Sequence, residues 1–340
     1  MKLTIGLMTA AAFAMVGLET QSPPDTVESH VAAARAAAGT DFTGLADRLC
    51  TAPAPQPPAA STAPAPARRQ GPPPRESWHA DPVKVFDNLY FVGEQEYSAW
   101  AVVTSAGIII IDPIFDYSVE DEVVGGLRKL GFDPAAIKYV LVSHAHYDHV
   151  GGAAFLQDSF DARVVLSEPD WELLGRATGS WRKPKRDMVA TDGQKLTLGD
   201  TTLTLHLTPG HTLGTISSII PVRDGGKPHV AAYWGGTAFN WVANRTAYIT
   251  PERPDSFWFG RYIDSAQRFR QLATTAGADV LLSNHTVFDG SKTKLPALAT
   301  RRPADPHPYV IGPAAVGRYL TVAEECAKAG RLRAASGGGK

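Results

Sequence analysis

The sequence predicts an α/β chain in which two sheets are covered by helices on their outer faces. Three observations carry this. Strand-like apolar runs fall in two groups, one over residues 83–166 and one over residues 195–234 with a late member at 279–283. Helical periods lie between or after those runs, the arrangement expected when helices cover sheets. With 44% hydrophobic residues in 340, the chain has enough apolar material for one large core or two modest ones, and too much for a disordered polymer.

Met1-Lys2 precedes an apolar run from Leu3 to Leu18, and polar Glu19-Thr20-Gln21 follows it. Charge, short apolar run and polar flank read as a secretory signal over residues 1–20, with a buried first helix as the alternative. The run is too short and too rich in Ala and Gly for a membrane span, so no stable membrane insertion is expected after signal removal, and the protein is expected to be exported to the periplasm. Residues 21–50 form an N-terminal segment in which Ala-rich sequence from Val31 ends at Gly39, predicting a short helix. Residues 51–75 hold nine of the 26 prolines, a composition that supports neither helix nor ladder and reads as an extended linker.

A folded domain is expected over residues 76–300. Val83 to Val92 is strand-like on either side of Asp87-Asn88, and the runs Trp100–Thr104 and Ile108–Ile111 flank a hairpin turn at Ser105-Ala106-Gly107. Ser118 to Leu130 has helical period, acidic residues early and Arg128-Lys129 late. Strands follow at 137–142 and 162–166, with a helix beginning at Gly152 between them. Lys195–Leu207 reads as two strands around Gly199-Asp200, with further strands at 217–222, 229–234 and 279–283 and a helix at 265–276. An extension over 301–333 ends in a helix, and residues 334–340 form a Gly-rich tail.

Composition narrows the function. The 33 Lys+Arg against 34 Asp+Glu leave no basic footprint for nucleic acid, so a small-molecule substrate is the expected partner. Two cysteines exclude a disulfide-rich scaffold and any four-thiolate zinc module. Cys50 and Cys326 flank the domain, and in an exported chain one disulfide would tie the N-terminal helix to the C-terminal one; two buried thiols are the alternative.

The chemistry lies in His144-Ala145-His146-Tyr147-Asp148-His149, directly after a strand. His144 and His146 project to one side of an extended backbone, at a spacing that suits two corners of a tetrahedral zinc site. Asp148 and His149 follow in a turn that can aim them at a second ion. Four such groups in six residues would be costly to bury unpaired. His211, in Thr208-Pro209-Gly210-His211-Thr212, and His285, after Ser283-Asn284, stand at other strand ends on the same expected rim. Five His and one Asp suffice for two metals, each with an open position. Gly151-Gly152 are expected to turn tightly into the next helix.

His-x-His-x-Asp-His, then Gly-His, then a late His, with Ile111-Asp112 closing an apolar strand, resembles the metallo-β-lactamase superfamily over roughly residues 78–288. The resemblance implies a four-layer αββα sandwich with a two-zinc site at one edge. It places His144, His146 and His211 on the first zinc and Asp148, His149 and His285 on the second, with Asp112 orienting a ligand from behind. Thr-Pro-Gly-His-Thr and Asn284-His285 are similar to the B3 subclass of β-lactamases. Many hydrolases of the superfamily carry a metal-bridging Asp after the strand that follows the third histidine. Here that strand runs into Gly235-Gly236-Thr237-Ala238-Phe239-Asn240, which offers neither Asp nor Cys. This departs from glyoxalase II-like and phosphodiesterase-like members and favours the B3 arrangement. Substrate-binding Ser residues known in some B3 enzymes are absent too, which leaves Thr237 and Asn240 for that place.

The resemblance therefore implies a zinc-dependent hydrolase that opens a β-lactam amide without a covalent intermediate, Asp148 serving as the catalytic carboxylate. A superfamily hydrolase of an acyl lactone or other ester is the alternative. An iron-dependent oxidoreductase of the same fold and a closed structural metal module fit six ligands less well. No Gly-x-Ser-x-Gly elbow offers a nucleophilic serine. Tyr147, inside the ligand turn, is the aromatic best placed to meet substrate; Trp100, Trp234, Phe239 and Trp241 are wall or core. Arg176, Arg182, Lys183 and Lys185 form either a basic lid or a solvated surface.

Overall fold

A computed structural model describes residues 25–51, 71–302 and 304–337. The expected signal segment and most of the Pro-rich linker lie outside the described residues. Where one N-terminal helix was expected there are two, α1 (Val27–Ala38) and α2 (Thr43–Cys50). Thr26 and Ser29 cap the first reciprocally, and Gly39 at φ 55° stops it.

The first sheet has seven strands in chain order: β1 (Val83–Lys84), β2 (Leu89–Phe91), β3 (Trp100–Thr104), β4 (Gly107–Ile111), β5 (Ile137–Leu141), β6 (Arg163–Ser167) and β7 (Met188–Ala190). The hairpins β1–β2–β3–β4 are antiparallel, and β4, β5, β6 and β7 run parallel. Parallel neighbours need crossovers, here supplied by α3 (Gly125–Lys129), α4 (Tyr147–Val150), α5 (Ala153–Phe160) and α6 (Glu168–Arg176). The helix expected over 118–130 is a π turn, Glu120–Val124, leading into α3.

The second sheet has the order β12-β11-β10-β9-β8, built from β8 (Lys195–Leu198), β9 (Thr201–Leu207), β10 (Ile216–Asp224), β11 (Lys227–Trp234) and β12 (Val280–Ser283). Short helices α7 (Asn240–Ala243) and α8 (Arg245–Tyr248) follow β11. The long α9 (Asp255–Thr275) starts ten residues before the expected 265. After β12 come α10 (Thr286–Asp289), α11 (Ser291–Thr300) and α12 (Pro313–Gly337), so the C-terminal helix continues into the stretch read as a tail.

Side-chain alternation explains the four layers. In β4, Ile108 and Ile110 join the cluster under α3 and α5, whereas Ile109 and Ile111 join the cluster between the sheets with Leu203, Leu205, Ile216 and Ile220. The period of two thus sends one strand's residues to both cores. On the far side, Trp234 and Leu281 of the second sheet pack against α9, α12 and the α1–α2 pair. The described parts of the chain form an αββα sandwich. Cys50 and Cys326 are disulfide-bonded, closing α2 onto α12 across 276 residues.

Candidate metal centre

β4, β5 and β6 end at one rim of the first sheet, and β9, β11 and β12 end at the same rim of the second. The Ile216 N–H donates to the Ser143 carbonyl (2.7 Å) and fastens the two sheets there. Asp112, His144, Thr208–His211, Gly235 and His285 all follow these strand ends. The strand before the histidine motif ends at Leu141, so His144 and His146 stand in a loop, and Asp148 and His149 lie in the single turn of α4.

The six expected ligands are brought together as two triads, His144–His146–His211 and Asp148–His149–His285, the donor atoms of each lying within 4.8 Å of one another. His211 Nε2 is 3.1 Å from His144 Nε2 and 3.2 Å from His146 Nδ1. His149 Nε2 is 3.2 Å from His285 Nε2 and 3.3 Å from Asp148 Oδ2. Nitrogens about 2.05 Å from a tetrahedral zinc would stand about 3.3 Å apart, close to these separations.

The opposite nitrogens decide the tautomers. His144 Nδ1 faces the Gly235 carbonyl (3.0 Å), His211 Nδ1 the Ala238 carbonyl (2.7 Å), and His146 Nε2 the Tyr248 hydroxyl (2.6 Å). With those nitrogens donating, three lone pairs converge on one point, which is unfavourable without a cation between them. The residues fit a metal.

Behind the second triad, His149 Nδ1 lies 3.2 Å from Asp112 Oδ2. Asp112 accepts from the Ser143 N–H, the Ser143 hydroxyl and the Tyr233 hydroxyl, each at 2.6 Å. It holds φ 55° and is fully buried, a strained backbone position fixed by those donors. Behind the first triad stands Asp170, also fully buried, which accepts from the Ala145 and Gly214 N–H groups and the Thr212 hydroxyl.

Burial, reinforced by neighbouring imidazoles, pushes His146 and His285 down to about 3 and sends His144 well below the ordinary range. Burial likewise takes His211 down to about 4. These rings are neutral, as ligands must be. Burial also pulls on His149, but the Asp148 and Asp112 carboxylates outweigh it and hold that ring up at about 10, so a metal bound there would have to displace its proton. Burial opposes ionisation of Asp148, yet His149, His285 and His146 hold its carboxyl well below the usual range. Burial raises Asp170 to about 6 against its three donors.

Other expected residues are placed differently. Thr237 is turned into the helix layer, its hydroxyl 3.2 Å from that of Tyr319 and its carbonyl accepting from Tyr262, so it does not face substrate. Tyr147 bonds to Asp116 and rests on Trp181 (5.1 Å between ring centres) on the outer flank. Asn240 does face the centre, its amide nitrogen 3.2 Å from His211 Nε2 and 3.4 Å from His146 Nδ1. Trp100, Trp234 and Trp241 are core. Of the basic stretch, Arg182 pairs with Asp158 at 2.6 Å and Lys183 bonds to the Ala177 carbonyl, whereas Arg176 lines a cavity beside His146. Gly151 and Gly152 form the expected tight turn between α4 and α5, with φ values of −55° and −80° that do not themselves require glycine. A Cβ at Gly151 would come within 3.0 Å of the Ile114 carbonyl, so close packing is what calls for glycine.

Sequence reasoning missed Tyr248, Asp170, Ser143 and Tyr233, and gave Asn284 a place in the motif but no contact. The Asn284 amide donates to the Gly235 carbonyl (2.8 Å), which His144 also uses. Asp170 reads in sequence as an ordinary acidic residue of a first helical turn; its only signal is its place just after a strand that ends at the rim.

Gly236 explains the missing carboxylate. A Cβ there would sit 2.5 Å from His211 Cβ, so any side chain would displace the third histidine. At Gly235 it would collide with the Ile216 carbonyl.

Residues 92–224 match the metallo-β-lactamase superfamily. The matched segment belongs to that superfamily. A subclass B3 metallo-β-lactamase of Bradyrhizobium japonicum is 29% identical, with TM-score 0.60 and a match covering 71% of this chain and 90% of that one. Hydroxyacylglutathione hydrolases of Acidiphilium cryptum and Pseudomonas syringae pv. syringae are 26% and 38% identical over 153 and 155 residues. Those matches cover 45% and 42% of this chain and 54% of each relative. The chain spans about half the length of the curated relatives it matches. The matched segment carries, at its rim and on the loops beyond it, two groups of side chains able to hold metal ions.

Proposed function

We propose that the chain is a two-zinc hydrolase of B3 type whose substrate is a strained cyclic amide, a β-lactam. The observation that carries this reading is the rim itself: three-plus-three ligands, with Gly235-Gly236 packed where a bridging carboxylate would need to stand. Zinc held by the two triads would supply a water acidified to near neutrality and a Lewis acid for the scissile carbonyl.

The chain's own groups do the rest. Asp148, ionised and at the edge of the second triad, accepts and orients a proton of the attacking water. The Asn240 amide lies over the first triad and donates to a carbonyl oxygen brought there. Tyr248 accepts from His146 and stays protonated, burial pushing its hydroxyl up to about 12. A cavity of about 480 Å³ lined by His146, Tyr248, Leu173, Trp258, Arg176 and Arg253 opens beside His146 and takes the substrate's side group.

Thioester hydrolysis is the second reading, favoured by the hydroxyacylglutathione hydrolases among the sequence relatives. Purified zinc-loaded protein assayed side by side on nitrocefin, S-lactoylglutathione and an acyl homoserine lactone tests the choice. The β-lactam reading expects nitrocefin to give the highest kcat/KM; a higher value on the thioester or lactone would overturn it. Export is part of the proposal. A lone disulfide suits an oxidising compartment, and detection of the protein only in the cytosolic fraction would refute it.

A further inference from the structure

Asp170 stands in the first turn of α6, between the two loops that carry the first triad. Its Oδ2 accepts from the N–H of Ala145 (2.8 Å), the residue between His144 and His146, and from the hydroxyl of Thr212 (2.9 Å), the residue after His211. Its Oδ1 accepts from the Gly214 N–H (2.9 Å). The site is built for this carboxylate. A Cβ on Gly214 would come 2.6 Å from Asp170 Oδ1 and would collide with Ser167 Oγ. The Ser167 hydroxyl donates to the Gly214 carbonyl (2.6 Å), so both backbone polar groups of Gly214 are held. Thr215 accepts from the Thr212 N–H (3.0 Å) and its hydroxyl stands 2.8 Å from that of Thr212, which directs the Thr212 proton toward Asp170.

The chemistry of the partners requires an acceptor-only group. Ala145 and Gly214 present backbone N–H groups that cannot reverse. An amide in place of the carboxylate would turn its NH₂ toward one of them in either flip, and a buried N–H would be left unsatisfied. Among the described residues no cation pairs with Asp170; hydrogen bonds to the two loops are what compensate its burial.

We propose that Asp170 is a positioning residue for the first triad, fixing the His144–His146 loop and the His211 loop to one another so that three ring nitrogens meet at one cation. The inference rests on the reading that this triad holds a metal, and is independent of which substrate is hydrolysed. Asp112 faces His149 of the second triad and reaches His144 only through the Ser143 hydroxyl (3.0 Å), whereas Asp170 bonds to the loops of the first triad alone, so loss of Asp170 should fall on that triad.

The test compares full-length wild type, Asp170→Asn and Thr212→Val. Zinc content is measured after dialysis, stepwise zinc affinity by competition with a chromophoric chelator, and the visible spectrum after cobalt substitution. Wild type should take up two zinc ions. Asp170→Asn should lose about 10- to 100-fold in affinity at one step only, with an altered cobalt spectrum, the size usual for removing an outer partner of a metal site. Thr212→Val, which removes one donor and keeps the shape, should shift the same step by a smaller factor and serves if Asp170→Asn does not fold. Wild-type affinities and spectra in both variants, or an equal loss at both steps, would overturn the inference. A wild type that takes up no zinc would overturn the metal reading and this inference together.

Discussion

The metal-binding rim and the helical clasp on the outer face of the second sheet are held by different physics. At the rim the fully buried groups are polar, Asp112, Ser143, Asp170, Thr212 and Asn284, and each is placed by short hydrogen bonds to backbone or hydroxyl partners. In the clasp, α1, α2 and α12 bury Ala34, Leu45, Leu49, Val316, Leu320 and Ala323 and are cross-linked by Cys50–Cys326. Apolar area and a covalent tie give stability without demanding exact angles, whereas converging ligands need positions good to about 0.5 Å. The rim should therefore govern activity and the clasp resistance to unfolding.

Asp148→Asn should break that comparison most visibly on the activity side. It keeps the shape and removes the charge that orients a proton, so kcat should fall about 10²- to 10⁴-fold, while the thermal midpoint of the chelated protein falls only through the lost pairing with His149. Steady-state kinetics on the best substrate, paired with calorimetry, measures both. Reduction of Cys50–Cys326, or the double Cys→Ala variant, should do the reverse. The bridge closes a long loop, and its loss should cost up to about 5 kcal/mol of stability in the chain-entropy model with kcat/KM at 25 °C unchanged. A drop in kcat/KM that tracks reduction would show that the two regions are coupled.

The ligands were legible in sequence because their spacing is local: His144 to His149 stand in six residues, and His211 and His285 each close an apolar strand. The sandwich was legible through short continuous apolar runs such as β4, whose four isoleucines suit a strand buried on both faces. What escaped notice depends on distant segments meeting. Asp170 resembles any first-turn acid until Ala145 and Gly214 are seen to donate to it, and Thr237 looked available until Tyr319 of α12 was seen to hold its hydroxyl. Tyr248 is about 100 residues from His146, the ring it contacts. The start of α9 was missed because Asp255–Asp264 mixes aromatic and polar residues and buries Trp258, Phe259 and Tyr262 only through tertiary packing.

A third prediction asks whether the rim side carries a stability cost that the clasp does not. Glu94 is 1% exposed, and its Oε1 has no hydrogen-bond partner among the described residues. Burial pushes its carboxyl up from 4.5 to about 7, with Ser118 opposing and Glu122 and Asp148 adding to the rise. Between those values the folded chain keeps a proton that the unfolded chain has released, so this group makes stability fall as pH rises from about 4.5 to about 7. Glu94→Gln should remove that slope and leave the protein more stable at pH 8 by up to about 3 kcal/mol. Urea unfolding of both proteins at pH 5 and pH 8 measures it; an equal difference at the two pH values would show that Glu94 does not titrate in this window.

The smallest expected effect lies at the mouth of the cavity beside His146. Arg253 is exposed there, in the turn closed by its backbone bonds to Thr250, and its side chain enters no ion pair among the described residues. An exposed guanidinium meeting a substrate carboxylate contributes at most about 1 kcal/mol. Arg253→Ala should therefore raise KM for an anionic substrate about 2- to 5-fold and leave kcat alone, the pattern of binding shared by ground state and transition state. The change should shrink as salt is raised, because the pair is open to screening. A KM that responds equally for anionic and neutral substrates would mean that Arg253 shapes the cavity wall, and the electrostatic role would be lost.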